Sequence, residues 1–335
     1  MKERIGAAQS STSARRGASL GTVFGSWRSE IGVGTGILVL AVLWALLAPN
    51  FLSVTNIVLL LQQTSVLMIV AVGMTFVILT GDIDLSVGST IGLTTVLLAA
   101  FTVKLGIGLI PGIFLVLLAG ALIGLFTGIL RVVWQIPSFI VTLGLLTALQ
   151  GLAFTISDGV TISPIERGIA ELWNGRILFV PTPIWIMAII VAGAIWVLRS
   201  TRFGRHLYAV GGNPETARRY GVRVRTLRIS VFVLVQVLAV VGGILYSAQL
   251  NAGNATVGQQ SELNVIAGVV VGGVALFGGV GRPIGTVLGI FFIAVLANGL
   301  TLLGVSPYVF LIAQGLVVIA AVWYSALQRK GRSYT

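Results

Sequence analysis

Long apolar segments recur along almost the whole chain, and short polar or basic stretches separate them. Each segment approaches the ~20 residues that an α-helix needs to cross the hydrocarbon core of a membrane. Because a helix satisfies its own backbone hydrogen bonds in lipid, the pattern predicts an all-α integral membrane protein. The ten predicted spans are 31–48, 57–79, 85–103, 107–130, 137–156, 183–198, 229–249, 263–280, 283–303 and 307–327.

The composition supports a membrane protein and excludes several kinds of chemical site. Hydrophobic residues make up 56% of the 335 residues and charged residues only 9%, whereas soluble domains carry about 25% charged residues. Since cysteine is absent, disulfides and thiolate metal sites are excluded. The single histidine, His206, lies among arginines and is interpreted as a surface residue, because metal sites need several converging ligands. We therefore predict no catalytic residue, no metal site and no enzyme activity in this chain.

The basic residues predict the topology. The formal net charge is +12, but the positive residues lie at the termini and between spans rather than in a basic domain that would bind nucleic acid. With both termini inside, every second connection satisfies the positive-inside rule. The regions placed in the cytoplasm are the tail 1–30, Arg131, the loop 199–228, Arg282 and the tail 328–335. Residues 1–30 are expected to be disordered, residues 31–327 to form the transmembrane domain, and Lys104 and the loop 157–182 to lie on the opposite side.

The loop 199–228, between the sixth and seventh predicted spans, contains eight arginines and one acid, Glu215. Within it, the residues from Asn213 to Gly221 have the chemistry of a short helix. Asn213 is a favoured cap, and Pro214 suits the first helical position. Glu215 lies near the positive end of the helix dipole, and Gly221 is able to adopt the left-handed conformation that ends a helix.

Two helical turns are not stable alone, so this segment needs a surface to lie against. One interpretation is a surface helix that Arg218 and Arg219 hold to anionic lipid. The other is a helix that docks into a groove of a partner protein. In that case Ala217, Tyr220 and Val222 would form a small apolar anchor, with the arginines at its rim.

Two acids, Asp82 and Asp84, lie between the second and third predicted spans, just before Ser86 and Gly88. Ionisable groups near membrane depth are costly and suggest function, here a proton relay or direct substrate binding. Asp84 is also well placed to cap the helix predicted from Leu85, since helix N-termini favour carboxylates. Both interpretations stay open at this point.

Neutral polar side chains occur inside several spans. Amides and hydroxyls suit a neutral polyhydroxylated solute better than an ion, and Gln62, Gln63 and Asn298 are the candidates for a translocation path. Hydrogen bonding between helices is the alternative. Other polar residues within the spans include Thr64, Gln150, Gln236 and Gln314.

Glycines lie four residues apart at Gly120, Gly124 and Gly128, on one face of a predicted helix. Such a face lets neighbouring backbones approach closely. A mobile bundle that changes its packing would use the same residues. A weak internal similarity, between residues 72–92 and 271–289, is compatible with a duplicated half, as transporters often contain repeats.

A phosphate-binding G-x-x-x-x-G-K-[ST] loop is missing, since none of Lys2, Lys104 and Lys330 occurs in such a motif. The chain therefore does not supply this type of ATPase site itself.

Four motifs in order resemble those of the permease subunits of ribose-type bacterial ABC sugar importers. They are GDIDLSVGS at 81–89, AVGGNP at 209–214 with GV at 221–222, AGVVVGG at 267–273 with GGVGR at 278–282, and NGL at 298–300. The resemblance covers roughly residues 35–327 and implies a ten-helix permease fold. In that family Asp84 is the usual acid, whereas Asp82 departs from the common pattern, so Asp84 is weighted more heavily.

The resemblance also implies partners. These are a cytoplasmic ATPase subunit that binds ATP and Mg, a periplasmic sugar-binding protein and a second permease subunit, identical or similar. The segment from Asn213 to Gly221 matches the coupling helix that sits in a groove of the ATPase. The implied location is the bacterial inner membrane.

Two other functions are compatible with the residues. An ion-coupled secondary transporter would use Asp82 and Asp84 as proton or sodium ligands and would need no ATPase. A membrane scaffold or receptor would use the basic loop only to recruit a soluble protein, without solute flux.

Overall fold

A computed structural model describes residues 28–165 and 167–332, and the predicted tails 1–30 and 328–335 lie largely outside its described side chains. The described chain is almost entirely helical. Its α-helices are α1 Arg28–Leu47, α2 Val54–Leu79, α3 Val87–Ala99, α4 Leu109–Val133, α5 Ser138–Ser157, α6 Glu171–Asn174, α7 Thr182–Ser200, α8 Arg202–Gly212, α9 Pro214–Arg219, α10 Val224–Leu250, α11 Ser261–Val271, α12 Pro283–Leu302 and α13 Pro307–Arg332.

Three short elements complete the described structure. Helix α3 continues as a π-helical turn, Ala100–Lys104, and a 3-10 turn, Arg167–Ala170, precedes α6. Strands β1 Arg176–Ile177 and β2 Val180–Pro181 pair antiparallel before α7. The 3-10 turn and the two strands lie in the predicted loop 157–182.

Among the described residues, eight helices are long and apolar enough to cross a membrane: α1, α2, α3 with its π-helical turn, α4, α5, α7, α10 and α12. They match eight of the predicted spans. The tenth predicted span, 307–327, lies within a single helix, α13. The protein is therefore an all-α, multi-pass membrane protein.

The eighth predicted span, 263–280, is wrong as a continuous helix. Helix α11 has 11 residues, which at 1.5 Å per residue span about 16 Å, roughly half of the ~30 Å hydrocarbon core. After Val271 the chain turns through glycines with positive φ angles, including 87° at Gly278 and 72° at Gly279. Since side chains rarely adopt this conformation, the glycines stop the helix even though their neighbours are apolar.

Helix α10 lies at the centre of the bundle and packs against α2, α3 and α4. The glycine face of α4 makes this possible, as predicted. A Cβ on Gly124 would lie 2.5 Å from the Phe232 carbonyl oxygen, and one on Gly128 would lie 2.8 Å from the Ile229 Cα. A Cβ on Gly120 would overlap the Val240 side chain. The two backbones therefore approach more closely than any larger residue would allow.

The helix–turn–helix pairs α2–α3 and α11–α12, which contain the weak internal similarity, contact each other. The Thr75 and Thr286 hydroxyl groups are 2.7 Å apart, and the Gly279 N–H donates to the Leu79 carbonyl over 2.9 Å. Helix α2 has 26 residues against 11 in α11, so the two pairs are unequal. A duplication stays a hypothesis.

The charged residues sort to the two ends of the bundle as the topology predicts. We call the end with Arg131, Arg228 and Arg282, together with α8 and α9, the arginine-rich end. The other end holds Lys104 and the β-hairpin, and we call it the opposite end. The assignment of the arginine-rich end to the cytoplasm stays a prediction.

Candidate functional site at the arginine-rich end

The short helix predicted in the loop 199–228 is present as α9. The Asn213 side chain accepts a hydrogen bond from the Thr216 N–H over 2.9 Å, and Pro214 occupies the first turn. Gly221 has a φ angle of 83°, so it turns the chain after the helix. The local geometry thus follows from capping and turn chemistry, since each of these residues stabilises its position without distant contacts.

Ala217, expected to help anchor α9 to a partner, instead faces this chain, and docking of α9 to a partner stays a prediction. Ala217 is buried in this chain with Val210, Val224 and Leu227, and Val222 packs against the same cluster. Tyr220 remains 86% exposed. The apolar side of α9 therefore holds the helix to its own bundle, because a two-turn helix needs that contact to persist.

The outward side of α9 is charged. Arg218 and Arg219 lie 4.0 and 3.7 Å from Glu215, and all three side chains are more than 60% exposed. Such exposed pairs contribute little stability because water screens them. A partner that meets α9 would therefore contact Tyr220 and these charged groups.

Helix α8 is an element at this end that the sequence pattern did not reveal. Thr201 caps it by accepting a hydrogen bond from the Gly204 N–H over 3.3 Å, and its buried side chains are Leu207 and Val210. Phe203, Leu207 and Val210 recur at i, i+4 and i+7, which is the helical signal that could have identified it.

Helix α8 connects α9 with the bundle core. A Cβ on Gly211 would overlap the Leu79 carbonyl oxygen and the Gly279 nitrogen. The Tyr208 hydroxyl donates a hydrogen bond to the Gly281 carbonyl over 2.9 Å, and burial raises the pKa of this hydroxyl. Displacement of α8 would therefore press directly on the end of α2 and on the turn between α11 and α12.

Asp82 forms a buried ion-pair centre at this end. Its two carboxylate oxygens contact the Nε atoms of Arg131 at 2.6 Å and of Arg228 at 3.3 Å, and Asp82 is 1% exposed. Asp82 thus ties the connection between α2 and α3 to the end of α4 and the start of α10. Both oxygens have cationic partners, which leaves little of the open coordination that a sodium site needs.

Asp84 lies in a separate hydrogen-bond network. Its carboxylate accepts the N–H and the hydroxyl of Ser86 over 2.9 and 2.6 Å, and the Gln236 amide over 2.9 Å. Burial raises the pKa of Asp84 above its ordinary value, and the hydrogen bonds offset only part of this increase. Helix α3 begins at Val87, two residues later than predicted, because Asp84 and Ser86 form a turn before it.

Gln236 extends the network to α3 itself. Its Nε2 also donates to the Ser86 hydroxyl over 2.8 Å, and its Oε1 accepts the Thr90 hydroxyl over 2.6 Å. Gly88 lies in the first turn of α3, where no larger residue fits, since a Cβ at this position would overlap the Glu262 carboxylate. The polar residues near Asp84 are therefore satisfied by one another within the bundle.

The comparisons with known proteins give one family. A family model described as the permease component of branched-chain amino acid transport systems matches residues 56–322, that is, from α2 to α13. The chain belongs to this permease family. No solved structure matches the chain.

Curated relatives of the permease match it along most of its length. The ribose import permease protein RbsC of Escherichia coli K12 is 40% identical over 304 residues, covering 89% of this chain and 94% of the relative. RbsC of Bacillus subtilis 168 is 37% identical, covering 88% and 91%. The xylose transport system permease protein XylH of Escherichia coli K12 is 31% identical, covering 84% and 87%.

The three pathway candidates of the permease are held by different partners. The Gln62 amide donates to the Trp173 carbonyl over 2.8 Å, whereas Asn298 exchanges two hydrogen bonds with Asn56, at 2.9 and 3.0 Å. Gln63 is exposed on α2. For Gln62 and Asn298 the structure therefore favours the alternative, hydrogen bonding between parts of the bundle. In a solute-bound state the same side chains would be able to exchange these partners for the solute.

Within residues 28–165 and 167–332, no group of three His, Asp or Glu side chains is arranged to hold a metal ion. The residues that the arginine-rich end brings together are instead Asp82 with its two arginines and the short helix α9. Asp84, Ser86 and Gly88 lie close by in chain order but deeper in the bundle.

Proposed function

We propose that this chain is the membrane-spanning subunit of an ATP-driven importer for a monosaccharide or a related polyol. The observation that carries the proposal is the 40% identity to a ribose import permease over 89% of the chain. The family description names branched-chain amino acids, whereas RbsC and XylH are named for ribose and xylose. We prefer a sugar because these relatives match along most of their lengths, 94% and 87%.

The proposed assembly places the chemistry of ATP on another subunit. A cytoplasmic ABC ATPase would bind ATP and Mg, a periplasmic binding protein would deliver the sugar, and a second permease subunit, identical or similar, would complete the pathway. The membrane would be the bacterial inner membrane, with both termini in the cytoplasm. The arginines at the connections support this orientation.

The proposed coupling runs from α9 to the core through packed contacts. The ATPase would bind Tyr220 and the charged side of α9, while Ala217 holds α9 to α8 and α10. Because Gly211 of α8 touches Leu79 and Gly279, a shift of α9 would change the packing of α2 against the α11–α12 turn. Alternating access requires such differential contacts between two states.

Solute uptake into vesicles tests the proposal. Vesicles would contain this chain, its candidate ATPase and its binding protein, and uptake driven by internal ATP would be compared with uptake driven by an imposed ion gradient. We expect uptake only with ATP and all three components. Uptake by this chain alone under a gradient would instead support a secondary transporter, and docking of the ATPase without uptake would support a scaffold.

A further inference from the structure

Four arginines from three helices surround one cavity at the arginine-rich end. Arg131 comes from the last turn of α4, Arg218 from α9, and Arg225 and Arg228 from the first turns of α10. The cavity has a volume of about 350 Å³. Guanidinium groups donate parallel hydrogen bonds that match the oxygens of carboxylate and phosphate groups, so this cavity has the chemistry of an anion site.

The nearby acids do not neutralise the cavity. Asp82 contacts Arg131 and Arg228 through their Nε atoms, at 2.6 and 3.3 Å. The Nη atoms, which carry four of the five N–H donors of each group, therefore remain for other acceptors. The second acid, Glu215, is 63% exposed and 4.0 Å from Arg218, so water screens its charge. Four cations thus face one buried carboxylate.

The position of the cavity indicates where its anion comes from. It lies where two membrane-spanning helices, α4 and α10, reach the same end of the bundle. Directly after Arg131 and Val132, the side chains of Val133 and Trp134 are 57% and 62% exposed. Tryptophan is typical of the boundary between membrane and water. A phospholipid would use both the arginines and this apolar ledge, whereas free phosphate would use only the arginines.

We propose that this cavity binds the phosphate headgroup of an anionic phospholipid, with the acyl chains along Val133 and Trp134. Arg225 and the Nη atoms of Arg131 and Arg228 would donate to the phosphate oxygens. Basic pockets at the ends of membrane helices are suited to such headgroups. The proposal does not depend on which solute the permease moves.

Binding of short-chain lipids to the full-length protein in neutral detergent tests this proposal. The probes are dioctanoyl phosphatidylglycerol, dioctanoyl phosphatidylcholine and glycerol phosphate, titrated by native mass spectrometry. Arg225→Gln removes an exposed arginine of the cavity without touching Asp82. Arg202→Gln is the matched control, because it removes one exposed positive charge from α8, outside the cavity lining.

We expect the wild-type protein to prefer phosphatidylglycerol over both other probes. Arg225→Gln should weaken this binding about tenfold, the factor for one charge-assisted hydrogen bond, while Arg202→Gln should leave it within about twofold, as expected for a screened surface charge. Trp134→Ser should weaken phosphatidylglycerol binding but leave glycerol phosphate binding unchanged.

Three results would overturn the proposal. Equal losses in Arg225→Gln and Arg202→Gln would mean general charge attraction without a site. Glycerol phosphate that binds as tightly as phosphatidylglycerol would assign the cavity to free phosphate groups. If Arg225→Gln weakened association with the ATPase and left lipid affinity unchanged, the cavity would belong to a protein partner.

Discussion

The two ends of the bundle use their charges in different ways. At the arginine-rich end, Asp82 is 1% exposed and lies between Arg131 and Arg228 at 2.6 and 3.3 Å. At the opposite end, Lys104 and Asp158 are 3.4 Å apart, with side chains 44% and 80% exposed. Breaking a buried pair leaves an uncompensated charge, whereas an exposed pair contributes little. Among the described ion pairs, charge is therefore part of the packing at the arginine-rich end, whereas the Lys104–Asp158 pair lies at the surface.

The largest expected effect comes from Asp82→Asn. It leaves the partly buried guanidinium groups of Arg131 and Arg228 without their carboxylate, and we expect a loss of about 3–5 kcal/mol of stability. Thermal unfolding of the purified protein in detergent measures this change. The double variant Asp82→Asn, Arg228→Gln should recover part of the loss, because it removes one uncompensated charge. If Asp82→Asn alone were as stable as the wild type, the charges of the two ends would not differ in their contribution to stability.

The second-largest effect is expected at the backbone contact between α8 and the bundle core. In Gly211→Ala, the new methyl group overlaps the Leu79 carbonyl and the Gly279 nitrogen, so α8 must move, at a cost of about 1–3 kcal/mol. Gly212→Ala is the matched control, since a Cβ there meets nothing within 4 Å. We expect ATP-driven uptake to fall in Gly211→Ala alone. Equal uptake in both variants would argue against coupling through α8.

The network around Asp84 gives a prediction for the interior between the ends. Gln236→Leu removes the amide that donates to Asp84 and Ser86 and accepts from Thr90. Because the buried carboxylate then loses a donor, we expect a loss of about 1–3 kcal/mol in the free energy of unfolding. Thermal unfolding measures it, with Gln63→Leu on the exposed side of α2 as the control. A loss of equal size in both variants would contradict the network.

The turn after α9 should matter less for stability than for docking. Gly221 has a φ angle of 83°, and a Cβ there meets nothing within 4 Å, so Gly221→Val costs only the strain of the left-handed backbone, about 1–2 kcal/mol. We expect weaker co-purification of the ATPase and reduced uptake. Gly221→Asn should retain more binding, because asparagine tolerates this conformation. Unchanged binding and uptake in Gly221→Val would contradict the coupling proposal.

The smallest effect is expected at the opposite end. Lys104→Ala removes an exposed ion pair with Asp158 and a hydrogen bond to the Ile156 carbonyl. We expect a change of stability below about 1 kcal/mol. Thermal unfolding at low and high salt checks this value. A loss comparable to that of Asp82→Asn would show that both ends depend on their charges.

Much of the fold was predictable because its signals are local. Apolar length identified the eight long helices, and the caps Asn213, Pro214 and Gly221 identified α9. The prediction of a span at 263–280 was wrong because apolar content alone does not reveal the glycines that end α11. Helix α8 was missed because arginines obscured its apolar spacing.

The candidate site was less predictable because its contacts join distant parts of the chain. Ala217 was expected to face a partner, but periodicity alone does not say which neighbour covers an apolar side chain. The partners of Asp82 lie on α4 and α10, and the partner of Asp84 on α10 is 152 residues away. Neither pairing has a signal in a single sequence.

The sequence by itself determined eight long membrane helices, the charged end and the short helix α9, since hydrophobic length, charge bias and capping act within a few residues. Only the tertiary structure decided that Asp82 joins two arginines, that α11 stops halfway, and that Gly211 touches Leu79 and Gly279. These features depend on which helices pack together. That choice is set by the whole bundle, because close packing of α10 brings distant backbones within contact.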